Sequence, residues 1–244
     1  MRTKNIAHRG FSGCYPENTM RAFEEAVKVH CDGIETDVQL TKDGVPVICH
    51  DEIIDRTSTG SGLIKDYTYK ELLNFDFGEN FSKEFKGEKI PTLEEFLEFS
   101  KSHNLFLNLE LKNGLFPYEG MEKKIIDMIY KYNLNNSVIL SSFNHFSMAK
   151  CKEIDKNINT GLLYDGTFID IEKYCKAVGA DALHPQYFSL LDPKITSSIQ
   201  KEGIMINTYT VNIDVHMKVL AHMNVDGIIT NFPDKLGEIL KTIV

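Results

Sequence analysis

Short runs of apolar and β-branched residues alternate along this chain with longer segments whose apolar positions recur at helical spacing. The short runs predict strands centred on Ile6, Ile34, Val47, Leu109, Ile139, Leu162, Ala182, Ile206 and Ile228. The longer segments predict helices over 17–29, 92–102, 121–132, 144–154, 170–178, 193–202, 212–222 and 234–243. Thr92 with Glu95, and Thr68 with Glu71, have the spacing of capping boxes, in which hydroxyl and carboxylate each satisfy a free backbone donor.

Nine strands are one more than a closed (β/α)8 barrel needs. The surplus is resolved at Thr41-Lys42-Asp43-Gly44, a link far shorter than the roughly dozen residues of a parallel crossover. The run 45–50 therefore returns antiparallel to 34–40 as a hairpin, and the other eight strands alternate with helices. The pattern predicts an α/β fold, a (β/α)8 TIM barrel with a β-hairpin and a short insertion after the second barrel strand. Register counted back from the turn pairs Leu40 with Val45, Val38 with Val47 and Thr36 with Cys49, which sets His50 opposite Glu35. Residues 51–91, rich in glycine and aromatics, read as an insertion over the barrel mouth, and residues 1–244 as a single domain.

Composition leaves this picture standing. At 244 residues, 42% hydrophobic and 25% charged, the chain suits one sizeable core. A net charge of −8 without a Lys/Arg-rich block argues against a nucleic-acid surface. Five widely spaced cysteines without a CxxC pair fit a reducing compartment better than a disulfide framework. Residues 1–5 show no basic-then-apolar leader, and no apolar run approaches the ~20 residues that cross a bilayer. These features predict a cytoplasmic protein with no stable membrane association; they do not address oligomeric state.

The chemistry gathers at predicted strand ends. Glu35 and Asp37 lie two apart on one strand, so both side chains face the same way, with Cα atoms about 6.8 Å apart. Glu110 ends another strand and supplies a third carboxylate. An isolated Glu-x-Asp is ordinarily a solvated surface pair. Here the acids sit towards the C-terminal ends of apolar strands, where barrels keep their sites. All-carboxylate ligation predicts one hard divalent cation, Mg²⁺ or Ca²⁺. Three carboxylates against Arg9 and Lys112 leave one net negative charge, which repels an anionic diester until a divalent ion reverses the sign.

His8 and His50 are the candidate acid/base pair, since imidazole gives or takes a proton near neutrality. A single histidine is more often structural, but two beside one carboxylate cluster favour catalysis. Arg9 carries a fork suited to two phosphate oxygens. Lys112 lies on the face of Glu110 and can bind substrate or neutralise the carboxylates. Glu17 and Asn18, followed by Thr19, read as helix-start residues, Asn18 in particular, with Glu17 also placed to support Arg9. His184 ends the seventh barrel strand and is a candidate pocket residue.

His8-Arg9-Gly10, Pro16-Glu17-Asn18-Thr19, Glu35-Thr36-Asp37, His50-Asp51, Glu110-Leu111-Lys112 and Thr210-Val211-Asn212 together resemble the signature of the glycerophosphodiester phosphodiesterase family. The resemblance covers nearly the whole chain. It implies hydrolysis of a small-molecule glycerophosphodiester to glycerol 3-phosphate and an alcohol, with His8 and His50 as acid and base and the insertion shaping the pocket. Tyr209 stands where the family usually has Trp, so it is expected to form an aromatic wall for the substrate; Asn231 stands where Asp is frequent. A lysophospholipase D-type activity, and a non-catalytic barrel that binds phosphorylated ligands, are the alternatives. A lysine imine mechanism at Lys112 is disfavoured, because adjacent carboxylates hold that amine protonated.

Overall fold

The structure is a computed structural model that describes residues 2–243. Eight parallel strands close on themselves: β1 (Lys4–His8), β2 (Gly33–Leu40), β4 (Phe106–Leu111), β5 (Val138–Ser142), β6 (Asn159–Tyr164), β7 (Ala182–Pro185), β8 (Met205–Thr208) and β9 (Gly227–Thr230). Each pairs with the next, and β9 with β1, so no barrel strand keeps a free edge. The ninth strand, β3 (Pro46–Ile48), pairs antiparallel with β2. This is the TIM barrel with a hairpin excursion that the periodicity predicts.

Helices wrap the outside: α1 (Met20–Lys28), the short α2 (Tyr69–Leu72), α3 (Leu93–His103), α4 (Met121–Lys131), α5 (His145–Ile154), α6 (Ile171–Val178), α7 (Pro193–Lys201), α8 (Asp214–His222) and α9 (Pro233–Thr242). Both capping boxes form, at Thr68/Glu71 and Thr92/Glu95. The first helix starts three residues later than the periodicity suggests. Asn18 takes a left-handed backbone, and Thr19 is the N-cap that accepts from the Ala22 N–H at 3.2 Å.

Alternation along the strands divides their side chains. Ile34, Val38, Leu107, Leu109, Leu140, Leu183 and Ile228 share one hydrophobic cluster with helix residues such as Phe23, Phe96 and Ile125. The Phe23 and Phe96 rings, both fully buried, pack 4.6 Å apart, and burial of each contributes roughly 1.5–3 kcal/mol. The alternate set turns to the barrel interior and is unusually polar, including Glu35, Asp37, Asn108, Glu110, Ser141, His184 and Asn207, all buried.

The hairpin register differs from the expectation by one residue. Leu40 pairs with Pro46, Gln39 with Val47 and Val38 with Ile48. Five residues, 41–45, make the turn, closed by the Thr41 N–H on the Val45 carbonyl (3.0 Å) and the Gly44 N–H on the Thr41 carbonyl (2.9 Å). A one-residue slip exchanges the faces of a strand, so the expected pairing of His50 opposite Glu35 does not form. Glu35 is flanked instead by His8 and Asn108 on neighbouring parallel strands.

The insertion builds its own small core, Val47, Cys49, Ile54, Ile64, Leu72, Phe77 and Ile90, against the hairpin. Among the described residues no helix is long and apolar enough to cross a membrane.

Candidate active site

The end of β1 turns sharply to present His8 and Arg9. Arg9 adopts φ 55° and Gly10 φ 82°. A Cβ on Gly10 would lie 2.7 Å from the Ala22 carbonyl carbon, so only glycine fits this turn against α1. The Arg9 N–H donates to the Glu35 carbonyl at 2.8 Å, which ties the turn to β2.

One oxygen from each of Glu35, Asp37 and Glu110 lies within 4.8 Å of the other two. Asp37 Oδ2 accepts from Asn18 Nδ2 at 2.9 Å, while its Oδ1 is buried without a partner. Asn18 is fixed in turn by the Thr36 hydroxyl, which donates to its Oδ1 at 2.6 Å. Asn18 is thus more than a helix-start residue: it reaches back to hold an acid of the cluster.

Burial and mutual repulsion set the charge state of the cluster. Burial, then the neighbouring Asp37, holds the Glu35 carboxyl well above the usual range. The same two causes push Glu110 up to about 7, against the pull of Lys112, whose ammonium is 3.1 Å away. Burial also opposes ionisation of Asp37, but Arg9, His50, Lys112 and the Asn18 amide outweigh it and bring that acid below its ordinary value. Without added positive charge, the three carboxylates resist full ionisation together. A divalent ion would relieve this and give the orphaned Asp37 Oδ1 a partner.

A cavity of about 180 Å³ opens over these acids, lined by both histidines, Arg9 and Glu35 among others. His8 Nδ1 donates to Asn231 Oδ1 at 2.6 Å, leaving Nε2 on the side of Glu35, 3.8 Å from its Oε2. Asn231 is itself placed by Asn212, whose Oδ1 accepts the Asn231 N–H at 2.9 Å. Burial, seconded by Arg9, pushes the His8 imidazole down to about 4. His50 donates from Nδ1 to Asp51 Oδ1 at 2.6 Å. Its segment is held by the buried Gln39 amide, which donates to the carbonyls of Cys49, His50 and Asp51 at 3.0, 3.2 and 2.8 Å. His50 therefore reaches the cavity despite the shifted register.

Arg9 lies between Glu17 (Nη1 to Oε1, 2.8 Å) and Asp37 (Nε to Oδ2, 3.4 Å). Tyr209 forms one wall, its hydroxyl donating to the Tyr164 carbonyl at 3.0 Å and its ring edge-on to Phe143 at 6.1 Å. It offers the site a ring face, because the hydroxyl is already engaged. Lys112 stands behind Glu110, outside the cavity lining.

His184 is not a pocket residue. It is fully buried inside the barrel, accepts from Asn207 Nδ2 at 3.0 Å, and is pushed down to about 3 by burial. Space for its ring comes from Gly161 on β6, where a Cβ would be 2.4 Å from Nε2. Asn108, which sequence reasoning passed over, does line the cavity. It shares the face of Glu110 two residues away, a spacing that could have marked it, and its buried Oδ1 has no partner.

A family model described as "Glycerophosphoryl diester phosphodiesterase family" matches residues 8–235, spanning every residue named so far in the cavity. The chain belongs to this family. A glycerophosphodiester phosphodiesterase of Caldanaerobacter subterraneus is 40% identical over 241 residues, covering 99% of each chain. Among solved structures, an Oleispira antarctica phosphodiesterase in complex with the product sn-glycerol-3-phosphate superposes with a TM-score of 0.86 at 30% identity, covering 97% of this chain and 96% of that one. A glycerophosphodiester phosphodiesterase from Agrobacterium tumefaciens gives a TM-score of 0.85 at 26% identity, covering 97% and 99%. Family membership makes this barrel a glycerophosphodiester phosphodiesterase.

A larger groove of about 940 Å³ runs between α5 and α6, lined by His145, Phe146, Lys152, Tyr174 and Asp181 among others. None of the cavity's acids or catalytic candidates borders it.

Proposed function

We propose that the protein hydrolyses glycerophosphodiesters to sn-glycerol 3-phosphate and an alcohol, using one divalent cation held by Glu35, Asp37 and Glu110. The observation that carries this reading is the convergence of three carboxylate oxygens within 4.8 Å, one of them on an acid with an orphaned buried oxygen, in a cavity shared by two imidazoles. Mg²⁺ or Ca²⁺ fits the all-oxygen donor set, and when bound it would polarise a phosphoryl oxygen and reverse the local charge. The glycerol 3-phosphate bound by the Oleispira relative supports a substrate with that moiety.

Arg9 lies at the same mouth and supplies the fork for phosphate oxygens. His8, neutral and with Nε2 bare, takes the proton of the attacking hydroxyl. His50, whose ring is oriented through Nδ1 by the Asp51 carboxylate, delivers a proton from Nε2 to the leaving alcohol oxygen. The attacking group is either water or the glycerol hydroxyl next to the phosphate. The second route gives a cyclic phosphate that water opens with the proton roles exchanged, and it suits two histidines on opposite duties.

Chelator-stripped protein should leave glycerophosphocholine intact, and Mg²⁺ or Ca²⁺ should restore turnover. His8→Ala and His50→Ala should each lower kcat by roughly a hundredfold or more. Full turnover after chelation would refute metal dependence. A lysophospholipase D-type preference is favoured by one observation: Phe143, half-exposed, carries the cavity wall out to an apolar lip. Clear preference for a long-chain lyso-lipid over glycerophosphocholine would select it.

A further inference from the structure

We propose that Arg56, in the insertion after β3, is the positioning residue that sets His50 for proton transfer. The inference rests on the histidine chemistry proposed above. The Arg56 guanidinium spans two carboxylates. Its Nε and Nη2 donate to Asp51 Oδ2 and Oδ1 at 2.6 and 3.1 Å; Nη1 and Nη2 donate to Glu17 Oε2 and Oε1, both at 2.8 Å. Each carboxylate also holds an active-site group. Asp51 accepts from His50 Nδ1, and Glu17 from Arg9 Nη1. The result is a continuous truss, Arg9–Glu17–Arg56–Asp51–His50, with the phosphate-binding candidate at one end and the proton donor at the other.

Its two positive and two negative side chains balance, so the truss adds no net charge to a site that must attract an anion. What it adds is geometry. Among the described residues the Asp51 carboxylate has only two hydrogen-bonding partners, His50 and Arg56. With 28% of that side chain exposed, loss of Arg56 frees it to turn to solvent. His50 then loses the acceptor that keeps the proton on Nδ1 and directs Nε2 to the cavity.

The base of Arg56 is firm although its side chain is 50% exposed. Ile54, two residues before it, is fully buried in the insertion core. The Ser58 hydroxyl donates to the Ile54 carbonyl at 2.8 Å, and Asn80 Nδ2 donates to the carbonyls of Asp55 and Ser58. The insertion thus acts as a bracket that carries a fork to Glu17 and Asp51. A lysine cannot span both carboxylates in two-pronged fashion.

The test compares Arg56→Gln and Arg56→Lys with the unaltered chain, all loaded with Mg²⁺, in wild-type and His50→Ala backgrounds. Arg56→Gln should lower kcat on glycerophosphocholine ten- to a hundredfold with little change in KM, as expected for an outer-shell partner. Arg56→Lys should fail to rescue. In the His50→Ala background Arg56→Gln should cost nothing further, because the arginine acts through that ring. ¹⁵N NMR of the imidazole nitrogens should show His50 protonated at Nδ1 in the unaltered chain and redistributed in both variants, at unchanged Mg²⁺ affinity. Rescue by lysine, an undiminished kcat, or an equal loss without His50 would each overturn the inference. If the unaltered chain fails to turn over glycerophosphodiesters, the functional reading falls by itself, while the NMR comparison still decides what Arg56 does to His50.

Discussion

Binding of a divalent cation to the metal-free protein should expel protons, in a number set by pH. Glu110 rises from an ordinary value of 4.5 to about 7, through burial and then Asp37. That rise corresponds to about 3 kcal/mol against its charged form. At pH 6 the Glu110 carboxyl is then roughly nine-tenths protonated, and at pH 8 roughly one-tenth. Glu35, raised by the same causes, adds to the protons displaced. Ligation requires ionised carboxylates. Adding Mg²⁺ or Ca²⁺ at pH 6 should therefore release about one proton from Glu110 plus the share of Glu35, and the Glu110 part should vanish by pH 8. Apparent affinity should weaken about tenfold for each pH unit below 7 per proton released. Isothermal titration calorimetry in buffers of different ionisation enthalpy reads the proton number directly. A binding enthalpy independent of buffer at pH 6 would refute the electrostatic account of the cluster. The same shift governs the metal-free fold. A carboxyl raised in the folded state stabilises below its unfolded value, and that stability is lost as pH climbs from about 4.5 through about 7. Thermal midpoints of stripped protein should fall across that window, and saturating cation should reverse the fall.

Two further substitutions test the parts that hold the site. Asn18→Ala removes the amide on Asp37 Oδ2 and should weaken cation binding ten- to a hundredfold in calorimetry while the fold persists; undiminished affinity would deny Asn18 that role. Gly161→Ala forces a methyl against His184 Nε2 and should cost about 1–3 kcal/mol in denaturant unfolding, with KM unaffected, since His184 lies outside the cavity; a large KM change would restore His184 to the substrate site.

The barrel was legible because its signals are local. Period-two and helical patterns mark strands and helices, and the link at 41–44 is too short for a parallel crossover, which separates the hairpin from the barrel strands. The acids were legible for a related reason: residues two apart on a strand must share a face, and Glu35, Asp37 and Glu110 each stand near the C-terminal end of a barrel strand. The hairpin register failed by one residue because the extra turn residue is decided by hydrogen bonds of Thr41 and Gly44 that spacing does not reveal. His184 misled because an inward-facing strand residue either lines the cavity or fills the barrel below it. The choice was made by Gly161 on a neighbouring strand.

The order of residues by itself determined which side chains share a strand face, how many strands close the barrel, and hence that three acids and a histidine meet at one mouth. Only the tertiary structure decided what steadies them: Asn18 on Asp37, Asn231 on His8, Gln39 under the His50 segment, and Arg56 across Glu17 and Asp51. Faces follow from the fixed repeat of the backbone. Hydrogen bonds between segments distant in sequence follow from loop paths, which no local period encodes.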